Sequence, residues 1–294
     1  MSSTLRIEAQ AARRLSPAFA WPTLALAVAV LAGLVASTWL AATGAIPLWA
    51  GAIANTVFLY AAYTPLHDSI HGAIVPRRKG WGWVHTAVGM ASAAPLWMFY
   101  HHHRKSHFQH HARANFDDDP DLYAKGGFAL VFFVKIPWAL LNYFNPVLLW
   151  SECRRFRLTR AETALTMALF ALYAGIALAV VASGHGVELV VLWLVPWFVG
   201  NLVMLTAFGW APHHDHGETG RYRDTRVSLF PGGDLLTLWQ NLHLIHHMLP
   251  AVPFYRYRAV FDAIRPCLEQ HGARIEGFWP GTPVRYTPTQ VRVT

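Results

Sequence analysis

Apolar and polar positions along the chain alternate in long blocks rather than with the short period of a soluble fold. Trp21 to Thr43 is uncharged and long enough to span a bilayer. A short turn at Gly44 to Pro47 leads into a second apolar run, Leu48 to Leu66, which ends at His67. A third run covers Ala164 to Ala182 and a fourth Leu189 to Trp210, separated by a turn at Ser183 to Glu188 that carries no Lys or Arg. This pattern predicts an all-α integral membrane protein with four spans in two hairpins (about 21–43, 48–66, 164–182 and 189–210). The intervening segments, 67–160 and 211–294, form a polar helical cap in one single domain.

Two apolar segments fit less simply. Trp81 to Tyr100 is short and broken by Gly82, Gly89 and Pro95, and reads as re-entrant or interfacial. A full crossing would put His107 on the opposite side from His67. Phe128 to Trp150 is interrupted by Lys135, Pro137, Asn142 and Pro146, which suits a helix lying in the interface. Thr159 and Glu162 form a capping-box pattern and mark a helix start before the third span.

The charge pattern orients these elements. A net charge of +8 in 294 residues could suggest nucleic acid, but the basic residues fall between the apolar runs, as the positive-inside rule requires. Arg6, Arg13 and Arg14 precede the first hairpin, and Arg77, Arg78 and Lys79 follow it. Arg154, Arg155, Arg157 and Arg160 precede the second. Both termini and the cap are therefore expected on the cytoplasmic side. The two cysteines, Cys153 and Cys267, provide neither a disulfide framework nor a thiolate metal site.

The chemistry is carried by histidine. His243, His246 and His247 are spaced i, i+3, i+4, on one face of a helical turn, and His107, His110 and His111 repeat that spacing. His67 and His71 form an i, i+4 pair. Clustered imidazoles suit a transition metal such as iron. About eight histidines exceed the roughly six ligands of one octahedral ion, so two metals are implied. A divalent-metal transporter would place such groups near the bilayer midplane within broken helices. Here they lie at or beyond the ends of the apolar runs, which favours a site open to the cytoplasm. There is no HExxH, no GxGxxG and no Walker motif, so a zincin protease is not indicated and electrons must come from another protein. His85, His185 and His271 read as ordinary surface or core residues.

The order His67-Asp-Ser-Ile-His71, His107-Phe-Gln-His110-His111, His243-Leu-Ile-His246-His247 resembles the membrane fatty acid desaturase superfamily, with its HxxxH, HxxHH, HxxHH boxes. The resemblance implies a non-haem di-iron centre that uses O2 and two electrons to attack an unactivated C–H bond. It also implies a four-span fold with a cytoplasmic cap, and an external donor such as a ferredoxin or a cytochrome b5-type protein with its reductase. A further histidine ligand is expected after the fourth span, and His213 stands there, with His214 and His216 as neighbours. The stretches from His213 to Arg226 and from Gln240 to Tyr257, with Asp118-Asp-Pro-Asp121, look like the desaturase-type carotenoid β-ring hydroxylases. That favours hydroxylation of a carotenoid ring over desaturation or other oxidation of a fatty acyl chain.

His101, His102 and His103 are placed outside the ligand set, as supporting or surface groups. Metal-bound histidines usually donate their other ring N–H to a carboxylate or carbonyl. Asp68, Asp119, Asp121, Asp215 and Asp224 all also fit plain solvated positions; among them Asp68 and Asp121, beside box ligands, are the expected partners, and Asn241 is a further candidate. Trp97, Phe99, Trp239 and Phe254 are candidate walls of a substrate tunnel or interfacial anchors.

Overall fold

The computed structural model describes residues 3–75 and 80–285. The predicted cluster Arg77, Arg78 and Lys79 lies outside the described residues. An amphipathic helix α1 (Ser3–Leu15) is followed by α2 (Trp21–Ala42) and α3 (Leu48–His71). These two pack antiparallel. Buried Asn55 of α3 receives a hydrogen bond from Ser37 of α2 and donates to Thr38 Oγ1 at 2.9 Å. It also donates to the carbonyl of Leu192 at 2.6 Å, tying in a third long helix.

α3 runs past the predicted end of the second span, through Pro65, and stops only at Gly72 in the left-handed conformation (φ 67°). The first histidine pair is thus on the last two turns of one continuous helix, every residue from Ala62 to His71 being buried. α4 (Gly82–Ala93) has 12 residues, about 18 Å of helix, too short for a ~30 Å hydrocarbon core. It packs back on α3. A Cβ on Gly89 would lie 2.2 Å from the Tyr100 ring and 2.5 Å from Ser69 Oγ, so only glycine allows this approach. A tight turn through Trp97 (φ 55°) then starts α5 (Tyr100–Arg113), the helix of the second box.

α6 (Phe128–Asn142) and α7 (Pro146–Arg155) meet at 89°. The break falls where Asn145 caps α7, accepting from the N–H groups of Val147 and Leu148. α8 (Arg160–Ala182) begins at the capping box formed by Thr159 and Glu162. α9 (Gly186–His213) extends three residues beyond the predicted fourth span. It continues because π-helical turns at Val190–Leu194 and Leu205–Trp210 absorb Pro196 and Pro212, each of which follows a wide turn. By length and composition α2, α8 and α9 can each cross a membrane, and a fourth crossing is reached if α6 and α7 are one broken span. α3 is as long but more polar and more buried, packed between α2, α4 and α9. Outward-facing residues such as Val35, Trp39, Leu172 and Leu178 are exposed, as expected for a lipid-facing surface.

The chain beyond α9 folds around a separate apolar cluster. A parallel pair, β1 (Arg226–Ser228) with β2 (Arg274–Glu276), flanks α10 (His243–Met248) and α11 (Tyr257–Gln270). Val227, Leu244, Ile245, Phe261 and Ile264 are fully buried there. α1 packs on α11, and its buried Glu8 accepts from Arg221 and from Tyr222 Oη, each at 2.7 Å.

Candidate metal centre

Histidines from four helices converge where the apolar core of the long helices meets that second cluster. Their ligand atoms fall into two groups, each with all atoms within 4.8 Å of one another. One comprises His67, His71, His107, His111 and His246; the other His110, His213, His243 and His247. The division follows from helix geometry. Adjacent helical residues point about 100° apart, so each His-His pair straddles both groups. His110 and His111 go to different groups, as do His246 and His247. His111 and His247 stack at 4.2 Å between ring centroids and form the shared wall.

Within the first group the Nε2 atoms close on one point. His71 and His107 are 2.9 Å apart, His107 and His111 3.1 Å, and His111 and His246 2.8 Å. Nitrogens about 2.0–2.1 Å from one ion and at right angles to each other lie about 3 Å apart, so these separations match an edge of a coordination shell. In the second group both ring nitrogens of buried His213, and Nε2 of His247, have no hydrogen-bond partner. Buried polar atoms of this kind are normally satisfied. The donor set therefore fits two transition-metal ions.

The protonation states of all but His110 among these groups agree with that use. Burial, and then neighbouring imidazoles, hold His107, His111, His246 and His247 well below the ordinary histidine pKa, and His243 likewise. Neutral imidazole is the form that binds metal. For His110 burial also lowers the pKa, but Asp121 and Asp119 outweigh it and raise it.

The supporting groups agree only in part with those expected. Asp119, only 4% exposed, lies 2.8 Å from His110 Nδ1 and is itself fixed by the N–H groups of Asn115 and Asp121. Asp121, the partner expected from the sequence, is also within ion-pair distance of that nitrogen at 3.7 Å, and Asp119 is the closer of the two. Asp68 accepts from Thr23 Oγ1 at 2.7 Å and from the Phe254 N–H, joining α2, α3 and the 253–257 segment instead of supporting an imidazole. Asn241 is engaged with Thr237, Ser228 and Asp234. Its neighbour Gln240 is the residue against His243 Nδ1, at 3.1 Å. Tyr257 Oη lies 3.0 Å from His246 Nδ1, and Asp224 3.9 Å from His247 Nδ1. Tyr257 and Gln240 were not singled out in the sequence because neither is a carboxylate, although each falls within the stretch around the third box.

The other histidines stand apart. His101 and His102 face Glu162 and Glu152 at 3.8 and 3.2 Å, and His103 Nε2 lies 3.3 Å from Tyr63 Oη. His214 packs on Trp210, and His216 stacks on His213 outside the ligand group. His185 and His271 are exposed. Trp97 and Phe99 line a cavity of about 440 Å³ with Met98, Tyr123 and Tyr143. Its inner wall is Tyr63, whose ring lies 5.5 Å from that of His67. Trp239 and Phe254 pack on each other, outside this cavity.

Comparison with known proteins agrees with this architecture. A relative, the sn-1 oleoyl-lipid 12-desaturase of Anabaena variabilis, is 25% identical over 228 residues, which cover 68% of this chain and 63% of the relative. The match thus spans less than two thirds of that protein's length. The family model for fatty acid desaturases matches residues 37–279, and the chain belongs to the fatty acid desaturase family.

Proposed function

We propose that this protein is an O2-dependent integral membrane oxidoreductase that holds two irons and oxidises an unactivated C–H bond of a long, lipid-like substrate. The observation that carries the reading is the pair of facing imidazole groups, five and four histidines, buried at the junction of the two cores. Two irons bound there would supply the reduction of O2 and the abstraction of hydrogen from the substrate. The irons would be held by His67, His71, His107, His111 and His246, and by His110, His213, His243 and His247. Asp119, Gln240 and Tyr257 hold Nδ1 of His110, His243 and His246, which would leave Nε2 of each ring free for an ion. The cavity behind Tyr63, aromatic on one side and polar on the other through Lys135, Glu152 and Arg155, would present hydrocarbon beside His67. Electrons come from an external ferredoxin-like or cytochrome b5-like partner.

The favoured substrate is a carotenoid β-ring, which is hydroxylated. The stretches from His213 to Arg226 and from Gln240 to Tyr257 support this, as does a cavity of about 440 Å³ with aromatic walls at Trp97, Phe99, Tyr123 and Tyr143. The second reading is desaturation of a fatty acyl chain, favoured by the similarity to an oleoyl-lipid desaturase. The two hairpins α2–α3 and α8–α9 would place the turns at 43–47 and 183–185 outside, with both termini and the metal centre cytoplasmic. Pigments and lipids extracted from a β-carotene-producing host expressing the wild type or His246→Ala test the reading. Hydroxylated carotenoid made only by the wild type supports it. New polyunsaturated acyl chains with unchanged pigments would transfer it to the acyl substrate.

A further inference from the structure

A second cavity, of about 310 Å³, reaches the second histidine group through Gln240, whose side chain lies against His243. It is bounded by α6 and α9 through Phe132, Val203 and Ala207, close to the outward-facing Phe133. Phe230 and the exposed Phe278 also line it, and Gln240 and Asn241 form part of its wall. Most polar groups of this wall are occupied within the protein. Thr206 Oγ1 donates to the Leu202 carbonyl, Trp210 Nε1 to Gly126, Thr237 Oγ1 to Gly233, and Asn241 Nδ2 to Ser228 and Asp234.

Gln240 is different. It is 1% exposed, its Oε1 is taken by His243 Nδ1, and its Nε2 is buried without a partner. The amide cannot be turned round. If His243 faces the metal group through its other nitrogen, its Nδ1 carries hydrogen and requires an acceptor, which leaves the NH2 as the spare donor. A buried donor without an acceptor is destabilising and rare. An apolar cavity with a few placed polar groups is the usual form of a small-molecule site.

We propose that this cavity binds a long apolar molecule carrying one acceptor oxygen, a carbonyl or a hydroxyl, which takes the free Gln240 amide hydrogen. The apolar body lies between Phe132, Phe230 and Phe278, and the oxygen sits one amide away from His243. The proposal rests on the proposed function only in reading His243 as a metal ligand. It adds a binding site separate from the cavity behind Tyr63, with a chemical preference for an oxygenated lipid over a plain hydrocarbon.

The cavity wall contains Trp210 and Trp279, so a bromine-bearing probe should quench tryptophan fluorescence on binding. The purified protein in detergent is titrated with the methyl ester of a dibrominated octadecanoic acid and with the dibrominated alkane of equal length. The ratio of the two affinities is compared among the wild type, Gln240→Glu, Gln240→Met and Ala207→Phe. The wild-type ratio should favour the ester about fivefold more than in either Gln240 variant, as one neutral hydrogen bond is worth. Ala207→Phe, which fills the cavity, should weaken both probes. An ester preference unchanged in both Gln240 variants overturns the proposal, as does undiminished ester binding in Ala207→Phe. Iron is measured on the same samples. The probe ratio is read at equilibrium without turnover, so it can fail while the di-iron reading stands, and the reverse.

Discussion

The Nδ1 atom of His110 lies 2.8 Å from a carboxylate oxygen of Asp119, and both side chains are almost fully buried. The pair links the second histidine box to the loop that follows it. Two backbone N–H groups, of Asn115 and Asp121, hold the carboxylate in place, so His110 has one available orientation and one tautomer.

Asp119→Asn should therefore lower iron affinity or turnover by about 10–100-fold, the usual cost of losing such a partner. Asp121→Asn, 3.7 Å from the ring and more exposed, should cost less. Asp68→Asn should reduce thermal stability through the Thr23 and Phe254 contacts while leaving bound iron near normal. Iron analysis and melting curves on the three variants check the order. Iron loss in Asp68→Asn with none in Asp119→Asn would reverse the assignment.

The division of adjacent histidines predicts separable metals. His247→Ala leaves the second group with three imidazoles, and His246→Ala leaves the first with four. Each should take iron from two per chain towards one, with turnover abolished in both. Mössbauer spectra of the two variants should show different residual iron environments. Identical residual spectra would argue against two distinct groups.

Tyr257→Phe removes the oxygen beside His246 Nδ1 and leaves a buried ring nitrogen unpaired, at a cost of about 1–3 kcal/mol. Because Tyr257 is fully buried in the second apolar cluster and Phe keeps its ring, the fold should persist. The expected result is a folded protein that loses iron to chelator faster than wild type. Chelator competition measures this directly, and an unchanged loss rate would remove Tyr257 from the support of the centre.

Much of the site was legible in the sequence because histidine spacing on a helix is itself geometry. The i, i+3, i+4 pattern of α5 and α10 puts three rings on one side of each helix. The long helices were legible for the same reason, and the Thr159 and Glu162 side chains declared the start of α8. What stayed hidden depends on loops and on irregular helix. Asp119 reaches His110 only because residues 114–121 fold back over α5, and no periodicity encodes that return. The wide turn at Leu205–Trp210 lets α9 run through Pro212, so His213 sits on its last turn instead of in a loop beyond it. Gln240 and Tyr257 were overlooked because they support imidazoles with an amide and a phenol.

The last prediction separates His213, the end of α9, from His214 and His216 just beyond it. His213 is buried with both ring nitrogens unpartnered, 4.7 Å from His110 and 4.9 Å from His247 between ring centroids. His214 turns to Trp210, at 4.8 Å, and its carbonyl accepts from Arg274. His216 stacks on His213 at 5.9 Å and is not among the grouped ligand atoms. His213→Ala removes one of four donors from the second group and should abolish turnover with loss of iron. His216→Ala removes packing against a ligand and should cost less, within the 10–100-fold range of an outer neighbour. His214→Ala should keep its iron and show mainly a stability loss. Turnover and iron per chain for the three single variants decide it. If His216→Ala is empty while His213→Ala keeps its metal, the ninth ligand is His216, because only a group that touches the ion can empty the site while its neighbour is dispensable.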